Sequence, residues 1–242
     1  MKGGTSLNEE QIRNEVRDYY TRAARAGSDG LGHDGVWGAS RYDTDMLTDA
    51  PAGAAELSMG CGNPLTMIDL SPGDIVLDLG SGGGLDVILS AKRVAPTGIA
   101  YGIDELDEMI DVARAHAVEA GVTNATFLKG LIEAVPLPDA SVDFVISNCV
   151  ICLAPDKTPV FTEIARVLRP GGRMAVTDIV ADNEYAAGNG DGGWAECGVG
   201  ALRHDAYLAT LTAAGLVDGT IEYTHDTGPG LHGATIRAQR PL

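Results

Sequence analysis

The sequence predicts one α/β domain with roughly seven strands in a mostly parallel sheet and helices on both faces. Three observations carry this. From residue 74 onward, short apolar runs alternate with segments of helical spacing, the order expected of a parallel sheet covered by helices. A glycine-rich turn, "DLGSGGG", stands where the first of these strands meets its helix. The chain has 242 residues, 45% of them apolar and 21% charged, which suits one large soluble core.

Ahead of the sheet, residues 8–26 have the pattern of an amphipathic helix. Asn8 can cap it, Ile12, Val16, Tyr19, Tyr20 and Ala23 form one stripe, and Gly27 ends it. Residues 27–60 are rich in Gly, Asp, Ala and Ser, with Trp37 and Tyr42 as isolated aromatics, and are expected to form a long covering loop. The division is thus 1–60 for the helix and cover and 61–242 for the sheet domain. Strands are expected at 74–80, 99–104, 125–130, 142–147 and 172–180, and helices at 84–95, 106–121 and 156–169. The segment near 181–202 could lid the sheet end; a helix at about 203–214 and strands near 217–224 and 232–238 follow.

With 17 basic and 34 acidic residues the formal net charge is -17. Nucleic-acid binding needs a basic stripe, so this balance argues against DNA and RNA, and equally against anionic membranes. No apolar run is long enough to span a bilayer and no signal-peptide pattern opens the chain, so a cytoplasmic protein is expected. The four cysteines, Cys61, Cys149, Cys152 and Cys197, then suit thiols better than structural disulfides.

Asp78, Gly80, Gly82 and Gly84 make a D-x-G-x-G-x-G turn, and Asp104 ends the next strand 24 residues after Gly80. Glycines let backbone amides come close to a ligand, and an acid at that spacing suits a ribose diol. The choice lies between a dinucleotide and S-adenosylmethionine. Asp86 follows the turn into the helix, where it would oppose a pyrophosphate, whereas a sulfonium is cationic and carries no phosphate. The turn, with "GLIEAVPLPDASVDFVISN" and "IARVLRPGGRMAVTD", resembles the Rossmann-like class I S-adenosylmethionine methyltransferases. That resemblance implies a cradle of Asp78, Gly80, Ser81, Gly82 and Gly84, with Asp104 on the ribose and Leu131, Ile132 and Glu133 near the adenine. Glu105, Met109 and Asn148 complete the expected cofactor set.

Cys61 in "MGCGNP", Cys149 in "SNCVIC" and Cys197 in "WAECGVGAL" come from distant parts of the chain yet could converge at the carboxyl end of the sheet. Thiolates suit a soft, thiophilic centre and not Mg²⁺ or Ca²⁺. Structural zinc is the competitor, but only Cys149 and Cys152 form a C-x-x-C pair. The three cysteine segments, from about Tyr42 to the C-terminus, resemble the arsenite methyltransferase family.

The resemblance implies that Cys61, Cys149 and Cys197 hold As(III), supplied as thiol complexes of arsenite or methylarsenite. S-adenosylmethionine would be the methyl donor, an external thiol the reductant, and arsenic detoxification the role. Two departures stand out. Relatives commonly carry cysteine in the loop before Tyr42, and "GSDGLGHDGVWGASR" has none. Cys152 replaces an expected asparagine; it is taken as a buried structural residue, with substitution for the missing thiol as the alternative. Methylation of an organic small molecule in a cysteine-lined pocket stays open, while thiol-based metalloid sensing would not need the cofactor turn. The five histidines show no ligand spacing, and Asp156 and Lys157 are taken as a helix start.

Overall fold

The structure, a computed structural model, describes residues 7–26, 37–185 and 193–242. His33 and parts of the expected covering loop and lid lie outside these residues. Helix α1 (Glu9–Ala26) begins at a reciprocal cap. The Asn8 side chain accepts the Gln11 N–H, and the Gln11 side chain accepts the Asn8 N–H, each at 2.9 Å.

Residues 37–60 are more ordered than a loop. They hold a 3-10 turn (Gly38–Arg41) and two short helices, α2 (Thr44–Leu47) and α3 (Ala52–Glu56). Two buried anchors, Tyr42 and Ala54, pin this polar stretch to the core.

The sheet domain follows as β1 (Ile75–Leu79), α4 (Leu85–Val94), β2 (Ile99–Asp104), α5 (Asp107–Glu119), β3 (Ala125–Lys129) and β4 (Val142–Asn148). It continues with α6 (Thr158–Val167), β5 (Leu168–Ala181), β6 (Leu202–Arg203), α7 (His204–Ala213), β7 (Val217–Gly228) and β8 (Leu231–Gln239). The eight-stranded sheet has the order β3-β2-β1-β4-β5-β8-β7, with β6 on the edge of β5. Pairings from β3 through β5 are parallel, and β8 runs antiparallel between β5 and β7.

Two strand extents differ from expectation. β5 begins at Leu168, which pairs with Val142 ahead of an irregularity, and β7 runs on to Gly228. The two-residue β6 was not expected. β4 ends opposite Thr177, and β6 takes up the vacated edge of β5 at Val180 and Ala181.

Helices cover both faces, so β1 is buried from Val76 to Leu79 and its side chains enter the two clusters in turn. Leu77 and Leu79 join α6 and α7 through Val160, Phe161, Ile164, Tyr207 and Leu211. Val76 joins the opposite cluster with Val87, Ile88, Ile110 and Ala113 of α4 and α5. Strand β1 lies between β2 and β4, so the strand order reverses there and opens a crevice at the carboxyl ends. Among the described residues no helix is long and apolar enough to cross a membrane.

Phe161 is fully buried and tilts its ring against Tyr207, centroids 5.2 Å apart. Phe161→Ala is expected to lower unfolding stability by about 3–5 kcal/mol. Urea titration of the variant checks this, and a loss below about 1 kcal/mol would contradict the packing.

Candidate active site

The cleft at the switch point is lined by the glycine turn, the ends of β2 and β4, residues 130–133, residues 57–60 and one face of α1. Gly80 makes the turn with φ +69, and a Cβ there would press within 2.5 Å of the Val150 side chain. The amides of Gly80 and Ser81 both donate to the Ile103 carbonyl at 2.9 Å, which ties the turn to β2. Asp104 accepts the Gly82 and Leu106 N–H groups, each at 3.0 Å.

Of the expected cofactor residues, Asp78, Gly80, Ser81, Gly82, Asp104, Glu105, Met109, Leu131, Ile132, Glu133 and Asn148 line this cleft. Gly84 does not. It caps α4 at φ +85, and a Cβ would meet Phe127 and Ala113 at 3.0 and 3.1 Å, so its role is helix–strand packing.

The cleft concentrates negative charge. Burial pushes the Asp104 carboxyl up to about 6. Asp86 also rises to about 6 through burial, opposed by hydrogen bonds from Tyr42 and Asn148. Asp78 rises well above the ordinary carboxylate range through burial and then through the charges of Asp86 and Asp104. A cation would relieve all three acids, and a phosphate would aggravate them. Ser81 Oγ, buried in the cleft wall, has no hydrogen-bond partner among the described residues and offers a polar contact to a ligand. The acids and the orphaned hydroxyl fit a sulfonium cofactor.

Helix α1 forms a wall that the sequence stripe only half disclosed. Arg13, Val16, Arg17 and Tyr20, one helical face, line the cleft. Arg13 pairs with Glu133 at 2.9 Å and Arg17 with Glu105 at 3.3 Å, so both acids are engaged by α1.

Asn148 lines the cleft but spends its amide within the protein. Its Nδ2 donates to the Gly62 carbonyl and the Tyr42 hydroxyl at 2.8 and 2.9 Å. Its Oδ1 accepts from the Thr177 hydroxyl at 2.7 Å and the Gly62 N–H at 3.2 Å. It therefore positions the Cys61 loop against β4 and β5. Gly60 and Gly62 permit the close fit: a Cβ on the first would overlap the Asn148 amide, and one on the second would stand 2.6 Å from Thr177 Cγ2.

The four thiols form one buried cluster with Leu153 and Ile179. Cys149 alone among them also lines the cleft. Its Sγ lies 3.5 Å from that of Cys197. Both residues hold left-handed backbone, φ +61 and +65, a strained geometry for residues with a Cβ. Thiol hydrogen bonds from Cys149 and then Cys152 bring Cys197 down to about 6. Cys149 moves well above the ordinary thiol value as a donor to its neighbours. Burial raises Cys61, whose thiol partner is Cys149.

Cys152, expected to be structural, belongs to the same cluster. Lys157 does more than start a helix: its buried ammonium donates to the Cys152 carbonyl at 3.1 Å. His116, His204 and His232 are hydrogen-bonded to Gly83, Asp205, and Asp226 and Asp182 respectively, while His225 pairs with Thr224.

Residues 70–212 match the methyltransferase domain family. An arsenite methyltransferase from Halobacterium salinarum is 36% identical over 264 residues, covering 96% of this chain and 67% of the relative. The chain belongs to the arsenite methyltransferase family. It is a methyltransferase that uses S-adenosylmethionine, with the Rossmann-like fold expected. The mouse arsenite methyltransferase is 32% identical over 74% of this chain and 50% of its own length. The crystal structure of an arsenic(III) S-adenosylmethionine methyltransferase from Chlamydomonas reinhardtii superimposes with a TM-score of 0.62 at 29% identity, over 91% of this chain and 73% of that one. The methyltransferase thus spans about two thirds of its haloarchaeal relative and half of the mouse enzyme.

Asp104 holds its charge at pH 7 and loses most of it at pH 5, because its carboxyl titrates at about 6. Affinity for S-adenosylmethionine should therefore fall about tenfold between these pH values, as calorimetry at each would show. Asp104→Ala should weaken binding at pH 7 by about 1–3 kcal/mol and leave only the part of the pH dependence due to Asp78 and Asp86. Asn148→Leu keeps the branching and heavy-atom count but strands the Gly62, Thr177 and Tyr42 partners. It is expected to cost about 1–3 kcal/mol of stability, and unchanged thermal and urea midpoints would refute the clamp.

Proposed function

We propose that this methyltransferase methylates trivalent arsenic held by its own thiolates, accepting arsenite, methylarsenite or both from complexes with small thiols. The observation that supports it most is the buried cluster of Cys61, Cys149, Cys152 and Cys197 behind the cleft wall, with Cys149 also lining the cleft. An organic acceptor would not require a cluster of buried thiols behind the wall.

S-adenosylmethionine supplies the electrophilic methyl group. The protein's part begins with thiol exchange: each cysteine sulfur replaces a small thiol on arsenic, and each cysteine proton departs on the displaced thiol. The low value of Cys197 provides a thiolate to start this exchange near neutral pH. Bound through three sulfurs, arsenic retains a lone pair and has no proton to lose, so no general base is needed. Leu57, Val150 and Leu153 line the cleft with Cys149 and give it apolar walls. Catalysis is then positioning above all. Methylation raises arsenic formally to the pentavalent state; two cysteines return it to the trivalent state by forming a disulfide, which an external thiol reduces. Detoxification of arsenic is the corresponding role.

A monomethylated arsenic has one position filled by carbon and needs only two thiolates. Cys149→Ser and Cys197→Ser should therefore abolish methylation of both arsenite and methylarsenite, because a hydroxyl is a harder, poorer ligand. Cys61→Ser should slow repeated turnover with both arsenicals, because it removes a thiol available to the disulfide step. Incubating purified protein with S-adenosylmethionine, thiol and each arsenical, then speciating the products, tests the reading. Full activity in all three variants would remove arsenic from the thiols and favour an organic substrate.

A further inference from the structure

The three sulfurs that already stand together are not those of Cys61, Cys149 and Cys197. Cys149, Cys152 and Cys197 place their sulfur atoms within 4.8 Å of one another, all buried. Two thiolates bonded to one soft centre at about 2.3 Å, the zinc–thiolate length, with an angle near 100° stand about 3.5 Å apart. The Cys149–Cys197 separation is 3.5 Å. Cys61 stands outside this group, with its thiol turned to Cys149.

The backbone is built around Cys152. It sits in a 3-10 turn, Ile151–Leu153, whose Cys152 carbonyl takes the buried Lys157 ammonium at 3.1 Å. Trp194 Nε1 donates to the neighbouring Leu153 carbonyl at 2.9 Å, which docks the Cys197 segment on the same turn. Gly200 completes that docking, since a Cβ there would overlap the Cys152 carbonyl. These contacts bring Cys197 to Cys152 and not merely to Cys149.

A buried carboxyl flanks this pocket. Asp178, 1% exposed, accepts the Ile179 N–H on Oδ1 at 3.0 Å. The Cys152 thiol and the Tyr207 hydroxyl are its side-chain neighbours, so the Cys152 sulfur is held between Asp178 and the other two thiols.

We propose that Cys152 is a third sulfur ligand for trivalent arsenic, so that arsenite is held in the buried pocket by Cys149, Cys152 and Cys197 without Cys61. This rests on the reading that the thiols of this site carry arsenic. Loading is an exchange without electron transfer. Three As–O bonds of arsenious acid break, three As–S bonds form, and three waters leave, taking one proton from each thiol and one from solvent where a cysteine enters as thiolate. Cys61 then remains a free thiol beside the loaded centre, available for the disulfide step. In a chain with no cysteine between Gly27 and Gly60, this gives the site a fourth thiol from within the core.

The test is arsenite binding to the full chain without S-adenosylmethionine, read by arsenic X-ray absorption and by equilibrium titration. Cys61→Ser should keep three sulfurs on arsenic and an affinity within about threefold of the unaltered protein. Cys152→Ser should lose one sulfur, or recruit Cys61 with affinity at least tenfold weaker. Its hydroxyl can keep the contact that the Cys152 thiol makes with Asp178, so the core should tolerate it. Three sulfurs and full affinity in Cys152→Ser, or two sulfurs in Cys61→Ser, would overturn the assignment. Product speciation of the unaltered protein separates the two readings: a three-sulfur site that needs Cys152 in a protein that methylates no arsenical would remove the proposed function and leave this ligand set standing.

Discussion

At the carboxyl end of β4 the chain must hold a buried glycine-flanked loop beside a cofactor cleft without closing that cleft. The Asn148 amide resolves this. Its two donors and its oxygen reach Tyr42, both backbone groups of Gly62, and Thr177. Tyr42 in turn donates to Asp86 at 2.8 Å, beyond the glycine turn. One planar side chain thus joins the covering segment, the Cys61 loop, β5 and the first helix after the turn. An amide is suited to the task because it donates and accepts at once, which neither a carboxylate nor an ammonium can do. Its bonds lie in a part-buried site, where each missing partner would leave a polar group unsatisfied.

The next residue explains why that junction matters. Cys149 continues the ladder by donating its N–H to the Thr177 carbonyl at 2.7 Å. It then turns into left-handed backbone, which places its sulfur among the other thiols. Strain of this kind, of order 1–3 kcal/mol per residue, persists only where the surroundings fix it. Here the fixing groups are the Asn148 junction on one side and the turn held by Lys157 on the other.

Much of this was legible in the sequence, and the gaps have physical reasons. The strands, the glycine turn and the acid of β2 announce themselves through period, composition and spacing within about thirty residues. β6 did not, because two residues carry no period. α2 and α3 are too short for a helical stripe, and their order comes from the buried Tyr42 and Ala54. Arg13 and Arg17 sat on a helix that was recognised, but their partners Glu133 and Glu105 lie far along the chain. Gly84 belonged to the motif by spacing, while its position is set by Phe127. Cys152 was visible as the second member of a C-x-x-C pair. Which way its sulfur faced depended on a 3-10 turn and on Gly200, a residue 48 positions away.

The electrostatics of the two compartments suggest why they can share a wall. The cleft carries three acids that burial drives toward protonation, and a cationic ligand restores their charge. The thiol pocket has the complementary problem of a buried thiolate at Cys197, stabilised by the Cys149 and Cys152 thiols with the Lys157 ammonium nearby. Arsenic bonded to three thiolates is neutral, so loading removes that charge from the buried pocket. Each ligand therefore settles the charge of its own compartment, and neither has to compensate for the other across the wall. What the two must share is geometry. That passes through Cys149, the thiol common to both, and through the Asn148 amide that fixes the strand end beside it.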